Sequence, residues 1–123
     1  MLKANFITAQ EAAEKIQDGS TLCTIGMTLV SASESILKAI EKRFETVGHP
    51  ADITLVHSCG QSDRKDGIQH LAHEGLVKRI VGSHWGLQPR WMEMIANSQV
   101  EAYCLPQGQI AQLYRSMACG LPG

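Results

Sequence analysis

Ile53-Thr54-Leu55-Val56-His57-Ser58 is the stretch that decides the fold. Its apolar core does not alternate with polar residues, as a half-exposed strand would. A short strand of that composition is buried on both faces, the condition of a strand in a parallel sheet. Upstream, Gly48 and Pro50 close a segment in which Ile36, Leu37, Ile40, Phe44 and Val47 recur at helical spacing, with Lys38, Glu41, Lys42 and Glu45 on the wet side. Ser31 with Glu34 reads as a capping box that opens this helix. Before it, Thr21-Leu22-Cys23-Thr24-Ile25 is a short buried strand. It is preceded by a helix with a capping box of Thr8 and Glu11, an apolar stripe of Ala9, Ala12, Ala13 and Ile16, and a stop at Asp18-Gly19.

Downstream, Gln61 to Gly67 is a polar loop and Ile68 to Glu74 a short helix. Val77 to Val81 is a third strand, less purely apolar and so expected nearer an edge. Pro89 marks a helix start, with Trp91, Met92 and Ile95 as the buried stripe. Val100 to Leu105 is the fourth strand. The last helix carries the clearest pattern of the chain, in Ile110, Leu113, Tyr114, Met117 and Ala118. Strands alternating with helices define an α/β fold, an open parallel sheet with right-handed crossovers. Strand order is not legible at this level.

Composition bounds the rest. The 123 residues are expected to form one domain, 1–123, with a single core; 44% of them are hydrophobic. Eleven basic and twelve acidic residues leave a net charge of -1, with no basic patch for nucleic acid. Cys23, Cys59, Cys104 and Cys119 form no C-x-x-C pair and no zinc-ligand spacing. Cys23 and Cys104 lie in apolar runs, where free cysteine acts as a small hydrophobe. This usage points to a reducing cytoplasm without disulfides. The N-terminus, Met1 to Phe6, lacks the apolar core of a signal peptide. No apolar run approaches the ~20 residues that span a bilayer, so no membrane partner is expected.

Open α/β sheets bind ligands beyond the C-terminal ends of their strands. Four glycine-containing loops lie there: Gly26-Met27-Thr28, Cys59-Gly60-Gln61, Gly82-Ser83-His84-Trp85-Gly86 and Pro106-Gln107-Gly108. Glycine lets backbone N–H groups approach a ligand, and helix N-termini favour anions. Strand–helix turns are also glycine-rich for steric reasons alone. Gln107 can donate and accept, and would grip a carboxylate or thioester carbonyl; the bland alternative is a self-solvating turn residue. Trp85, beside His84, would wall an acyl pocket, or else is simply core. His70-x-x-His73-Glu74 puts two imidazoles on one helix face, but it is not His-Glu-x-x-His and no third ligand is spaced to help. No metal site is expected, and the run Asp63-Arg64-Lys65-Asp66 reads as a solvated loop. No dinucleotide or phosphate-binding glycine motif occurs.

The order Leu71-Ala72-His73-Glu74-Gly75-Leu76-Val77-Lys78-Arg79, His84-Trp85-Gly86-Leu87, Leu105-Pro106-Gln107-Gly108, a helix, then Cys119-Gly120-Leu121-Pro122-Gly123 resembles the N-terminal part of a family I coenzyme A transferase of the acetate/propionate type. The resemblance runs from about Ile7 to Gly123. It implies two related α/β domains, with a nucleophilic glutamate in the second. That glutamate attacks acyl-CoA, forms an acyl-glutamyl anhydride and then a glutamyl-CoA thioester, and a carboxylate acceptor takes the CoA. It also implies that Gln107 lies beside the acyl group. The family's early Gly-Gly-Phe is replaced here by Ile25-Gly26-Met27, and Ser31 and Ser33 stand where Gly and Pro are expected. The Ser31 box therefore predicts an earlier helix start. The family's Ser-Glu-Asn-Gly segment, which carries the nucleophile, is not among these residues.

The resulting expectation is an incomplete first domain of an acyl-CoA:carboxylate CoA-transferase, without a catalytic residue of its own and inactive alone. Gly26, Met27, Cys59, Gly60, His84, Trp85, Gly86, Gln107 and Gly108 would face substrate. Coenzyme A would be a substrate, not a tightly bound cofactor, and the partners an acyl-CoA or small carboxylate and a chain supplying the second half. An unpaired sheet edge predicts a homo-oligomer. The alternatives are a binding module for acyl-CoA or carboxylate, and a self-associating remnant without catalysis. A sugar-phosphate isomerase relative would need a basic residue in the strand-end loops, and none occurs there before Arg90.

Overall fold

The computed structural model describes residues 4–122. Met1 to Lys3, at the start of the stretch read as lacking a signal-peptide core, and Gly123, the last residue of the Gly-x-Pro-Gly loop, lie outside the described residues. The elements in chain order are α1 (Ala9–Glu14), β1 (Thr21–Thr24), α2 (Glu34–Val47), β2 (Ile53–His57), a 3-10 turn (Gly67–Leu71), β3 (Val77–Gly82), α3 (Pro89–Ala96), β4 (Glu101–Cys104) and α4 (Gln107–Ala118). The four strands form one open sheet in the order β1-β2-β3-β4, and all three pairings are parallel.

The register sorts the side chains into rows. Leu22, Leu55, Ile80 and Ala102 stand side by side and join the core built with Ala13, Leu37, Ile40, Leu71 and Trp91. On the opposite pleat, Cys23, Val56, Val81 and Tyr103 form a second row outside that core. Val56 and Ile110 are buried yet belong to no part of the first core, and the Tyr114 hydroxyl donates to the Thr24 carbonyl at 3.0 Å. These facts place α4 against the second face, running back from β4 towards β1. Arg43 fastens α1 to α2 by donating to the Ala13 and Ile16 carbonyls at 2.7 and 2.8 Å, acceptors that a helix end leaves free.

Several expectations hold at residue level. Thr8 and Glu11 form their reciprocal capping box, Gly48 caps α2 in the left-handed conformation at φ 75°, and Pro89 opens α3. Others need correction. The second capping box does not form: α2 starts at Glu34, with Ser33 as N-cap, and Ser31 sits in a turn at φ 63°. Glu34 is drawn instead to tertiary partners, the Gly67 N–H at 2.9 Å and the His70 ring. β3 is interior, not near an edge; Lys78 and Arg79 are exposed, and Arg79 pairs with Glu101 on β4. β1 is an edge strand and alternates exposed and half-buried, so Cys23 is exposed, as is Cys104 on the other edge. In α3 the buried partner of Trp91 is Met94, while Met92 is 51% exposed. Ile110 alone is fully buried in α4, because the second face carries one row of apolar residues where the first has a full core.

Candidate functional site

The C-terminal strand ends bring the four loops together. Cys59, just past β2, adopts φ 53°. Its N–H points across β3 and is shared by the Gln107 Oε1 at 2.8 Å and the Ser83 Oγ at 3.0 Å. Ser83 in turn donates its hydroxyl to the same Gln107 oxygen at 2.7 Å. A backbone N–H can only donate, so the oxygen of the Gln107 amide must face inward. Its Nε2 has no partner among the described residues, and Gln107 is exposed. The first loop is tied to the second by the Thr28 N–H, which donates to the Gly60 carbonyl at 2.8 Å. Met27 and Val30 close a tight hairpin on each other's backbone, with Thr28 and Leu29 at its tip and Met27 60% exposed.

Behind these loops lies a buried polar layer. His57 is fully buried at the end of β2. Its Nε2 accepts from the Trp85 indole at 3.0 Å, and its Nδ1 stands 2.9 Å from the Cys59 carbonyl. Burial pushes the His57 pKa below its ordinary 6.5, and the bond to Cys59 only partly offsets this, so the ring is neutral. Gly82 opposite it on β3 has no room for a side chain, since a Cβ there would overlap the His57 ring. His84 is clasped by two glycines: a Cβ at Gly60 would lie 2.9 Å from its Cδ2, and one at Gly86 2.6 Å from its Cε1. Gln61 donates to the Thr24 and Ser58 carbonyls at 3.0 and 2.9 Å. Gln88, with its amide oriented to meet its neighbours, accepts from the Gln61 N–H at 3.0 Å and donates to the His84 carbonyl at 2.9 Å.

Of the residues expected at the site, Cys59 and Gln107 meet directly, and Gly60 touches both Thr28 and His84. Gly26 and Met27 form the rim. Trp85 turns its indole N–H inward to His57 rather than towards a pocket. Gly108 stands in open space on the first turn of α4. Sequence reasoning gave no site role to His57, Ser83, Gln61 or Gln88, although Gln61 stood in a quoted loop. Ser83 lay inside a quoted loop, but only the strand order puts it between Cys59 and Gln107.

His70 and His73 lie elsewhere, between the 3-10 turn and α2. His70 contacts Glu41 through Nδ1 and Glu34 through Nε2, the latter at 2.8 Å, with Asp66 at 3.3 Å; His73 reaches Glu41 at 2.9 Å. Glu34, Asp66 and His70 could converge on a metal ion. The Lys38 ammonium already bridges the two carboxylates at 3.1 and 3.2 Å, so the chain carries its own cation there. A groove of about 620 Å³ opens at the opposite end of the sheet, against Asp52, Lys78, Gln99 and Glu101. Those side chains are exposed, and Glu101 and Gln99 are already engaged by Arg79 and Glu74, so the polar convergence at the strand ends is the better site. No helix among the described residues is long and apolar enough to cross a membrane.

Comparison with known proteins follows the same residues. A family model described as coenzyme A transferase matches residues 6–123. Caffeate CoA-transferase of Acetobacterium woodii is 36% identical over 121 residues, which are 98% of this chain and 23% of that protein. Acetate CoA-transferase YdiF of Escherichia coli strain K12 is 34% identical over 119 residues, 95% of this chain and 22% of its own. The crystal structure of acyl-CoA transferase YdiF from E. coli O157:H7, a thioester complex with CoA, superposes with a TM-score of 0.88 at 33% identity. It covers 95% of this chain and 24% of that one. The chain thus spans less than a quarter of the length of these relatives.

Proposed function

The chain belongs to the coenzyme A transferase family, and from that premise we propose that its strand-end loops form an acyl-facing wall of an acyl-CoA:carboxylate CoA-transferase. The observation that carries this reading is the orientation of Gln107. Its amide oxygen is held by the Cys59 N–H and the Ser83 hydroxyl, and its NH2 group is left to donate. The N–H groups of Gln107 and Gly108, the first two of α4, have no acceptor among the described residues, whereas that of Gln109 turns back to the Pro106 carbonyl. The complement of such donors is an oxygen, either the acyl carbonyl of a thioester or a carboxylate. When a nucleophile adds to a thioester, negative charge gathers on that oxygen, and donors fixed beforehand stabilise it.

In this reading coenzyme A is a substrate and the second substrate is a small carboxylate. The 123 residues are one part of a first domain. The glutamate that the resemblance assigns as nucleophile comes from sequence outside them, on the same chain or another, so the chain alone binds without turnover. Isothermal titration with acetyl-CoA and with free CoA tests this. Binding of acetyl-CoA that weakens roughly tenfold in Gln107→Ala is expected, the loss of a hydrogen bond to a charged or polarised oxygen. A folded protein that gives no heat with either ligand would sink the reading.

The sheet itself supports a proposal about assembly. β1 and β4 are its two edges, and Tyr103 on the thinly covered second face and Met117 on α4 are 47% and 40% exposed. Unpaired edges and apolar faces recruit other chains, so we assign a homo-oligomer. A cytoplasmic location suits its four free thiols. A single monomeric mass by light scattering at low micromolar concentration would overturn the assembly.

A further inference from the structure

Resting on the reading of Gln107 just given, we propose that His57 is the positioning residue of the site: through the peptide of Cys59 it sets which end of the Gln107 amide faces a ligand. His57 itself is fully buried and does not reach the surface where a ligand would lie.

An indole N–H only donates, so the His57 Nε2 that receives the Trp85 N–H carries no proton. The proton of the neutral ring therefore sits on Nδ1, which donates to the Cys59 carbonyl at 2.9 Å. Cys59 is left-handed at φ 53°, a conformation that a residue with a side chain adopts only when its surroundings hold it. It is held at both ends. Its carbonyl is bound by His57, and its N–H by Gln107 and Ser83. One line of hydrogen bonds thus runs from Trp85 to His57, from His57 to Cys59, and from Cys59 to Gln107. Each link fixes the direction of the next, and the line ends with the Gln107 NH2 group facing out. Without the Nδ1 donor, Cys59 is free to leave the left-handed region and its N–H swings off Gln107. The amide can then turn and present an acceptor where a donor is needed.

Two substitutions separate this role from simple space filling. Asparagine places its amide nitrogen near the Nδ1 position, and glutamine places its terminal amide near Nε2. His57→Asn therefore keeps the bond to Cys59 and gives up Trp85; His57→Gln does the reverse. Positioning predicts that acetyl-CoA binding stays within about threefold of wild type in His57→Asn and weakens roughly tenfold or more in His57→Gln. It also predicts that the side-chain NH2 signals of Gln107, assigned by their loss in Gln107→Ala, move in His57→Gln and hold still in His57→Asn. A packing role predicts the opposite order, because glutamine fills more of the space. Equal effects of the two variants, or a Gln107 signal indifferent to both, would overturn the proposal.

The NMR arm does not depend on ligand. If the wild type binds no acetyl-CoA, the functional reading falls while the Gln107 signals still decide the positioning role. If neither variant folds, the nitrogen shifts of the His57 ring in the unaltered chain decide it. A protonated Nδ1 and bare Nε2 are expected, and the reverse tautomer would overturn the line of bonds.

Discussion

His57 and His70 are both held by hydrogen bonds at each ring nitrogen, yet they carry different charge. His57 faces one donor and one acceptor, the Trp85 indole and the Cys59 carbonyl, so a neutral ring satisfies both. His70 faces acceptors on both sides, Glu41 and Glu34, and only the doubly protonated ring satisfies them. Burial lowers the pKa of each. At His57 it prevails; at His70 the bonds to Glu41 and Glu34 outweigh it and the pKa rises above 6.5. Burial also raises the Glu41 carboxyl, but the bonds to His73 and His70 more than reverse this and hold it low. Depth and partners together decide whether a buried imidazole is a charge or a rigid polar spacer: burial wins at His57, the carboxylates at His70. One histidine keeps the strand-end site neutral and directional. The other clamps the 3-10 turn onto α2.

The largest expected break in this comparison is Gly82→Ala. Its new methyl group would overlap the His57 ring, and overpacking of this kind costs about 3 kcal/mol. Made in a His57→Ala background and measured against that variant, the same change should cost little, which urea unfolding would show. An equal loss in both backgrounds would mean that the ring is not what Gly82 accommodates.

A smaller effect, about 1–2 kcal/mol near pH 6, is expected for His70→Ala; water reaching the cluster tempers it. The pH dependence sharpens the contrast. The raised pKa of His70 means its contribution is complete below 6.5 and is lost as pH rises through its folded value. The depressed pKa of His57 means the reverse: its contribution is complete above 6.5 and is lost as pH falls through its folded value. Unfolding measured from pH 5 to 9 should therefore lose its alkaline limb in His70→Ala and keep the acid one. An unchanged alkaline limb would refute the charged assignment of His70.

Much of the fold was legible because it follows local rules. The non-alternating run of β2 marked an interior parallel strand, and Thr8, Gly48 and Pro89 marked helix ends. The failures share one cause, competition from distant partners. Glu34 left its expected cap for Gly67 and His70, and β3 read as peripheral because Lys78 and Arg79 turn outward from an interior strand. The site divides the same way. Cys59, Gln107 and the glycine loops could be named from their places at strand ends. His57 and Ser83 could not, because their roles depend on which strands are neighbours. That His57 lies over Gly82, and Ser83 between Cys59 and Gln107, follows only from the order β1-β2-β3-β4.

The overlap of Gly82 with the His57 ring also constrains ancestry. A lineage could trade the histidine for a smaller residue while keeping the glycine, and only then gain a side chain at position 82. The opposite order passes through a protein with two groups in one space. The two positions are therefore coupled in one direction: a side chain at position 82 is tolerated only once the histidine ring is gone.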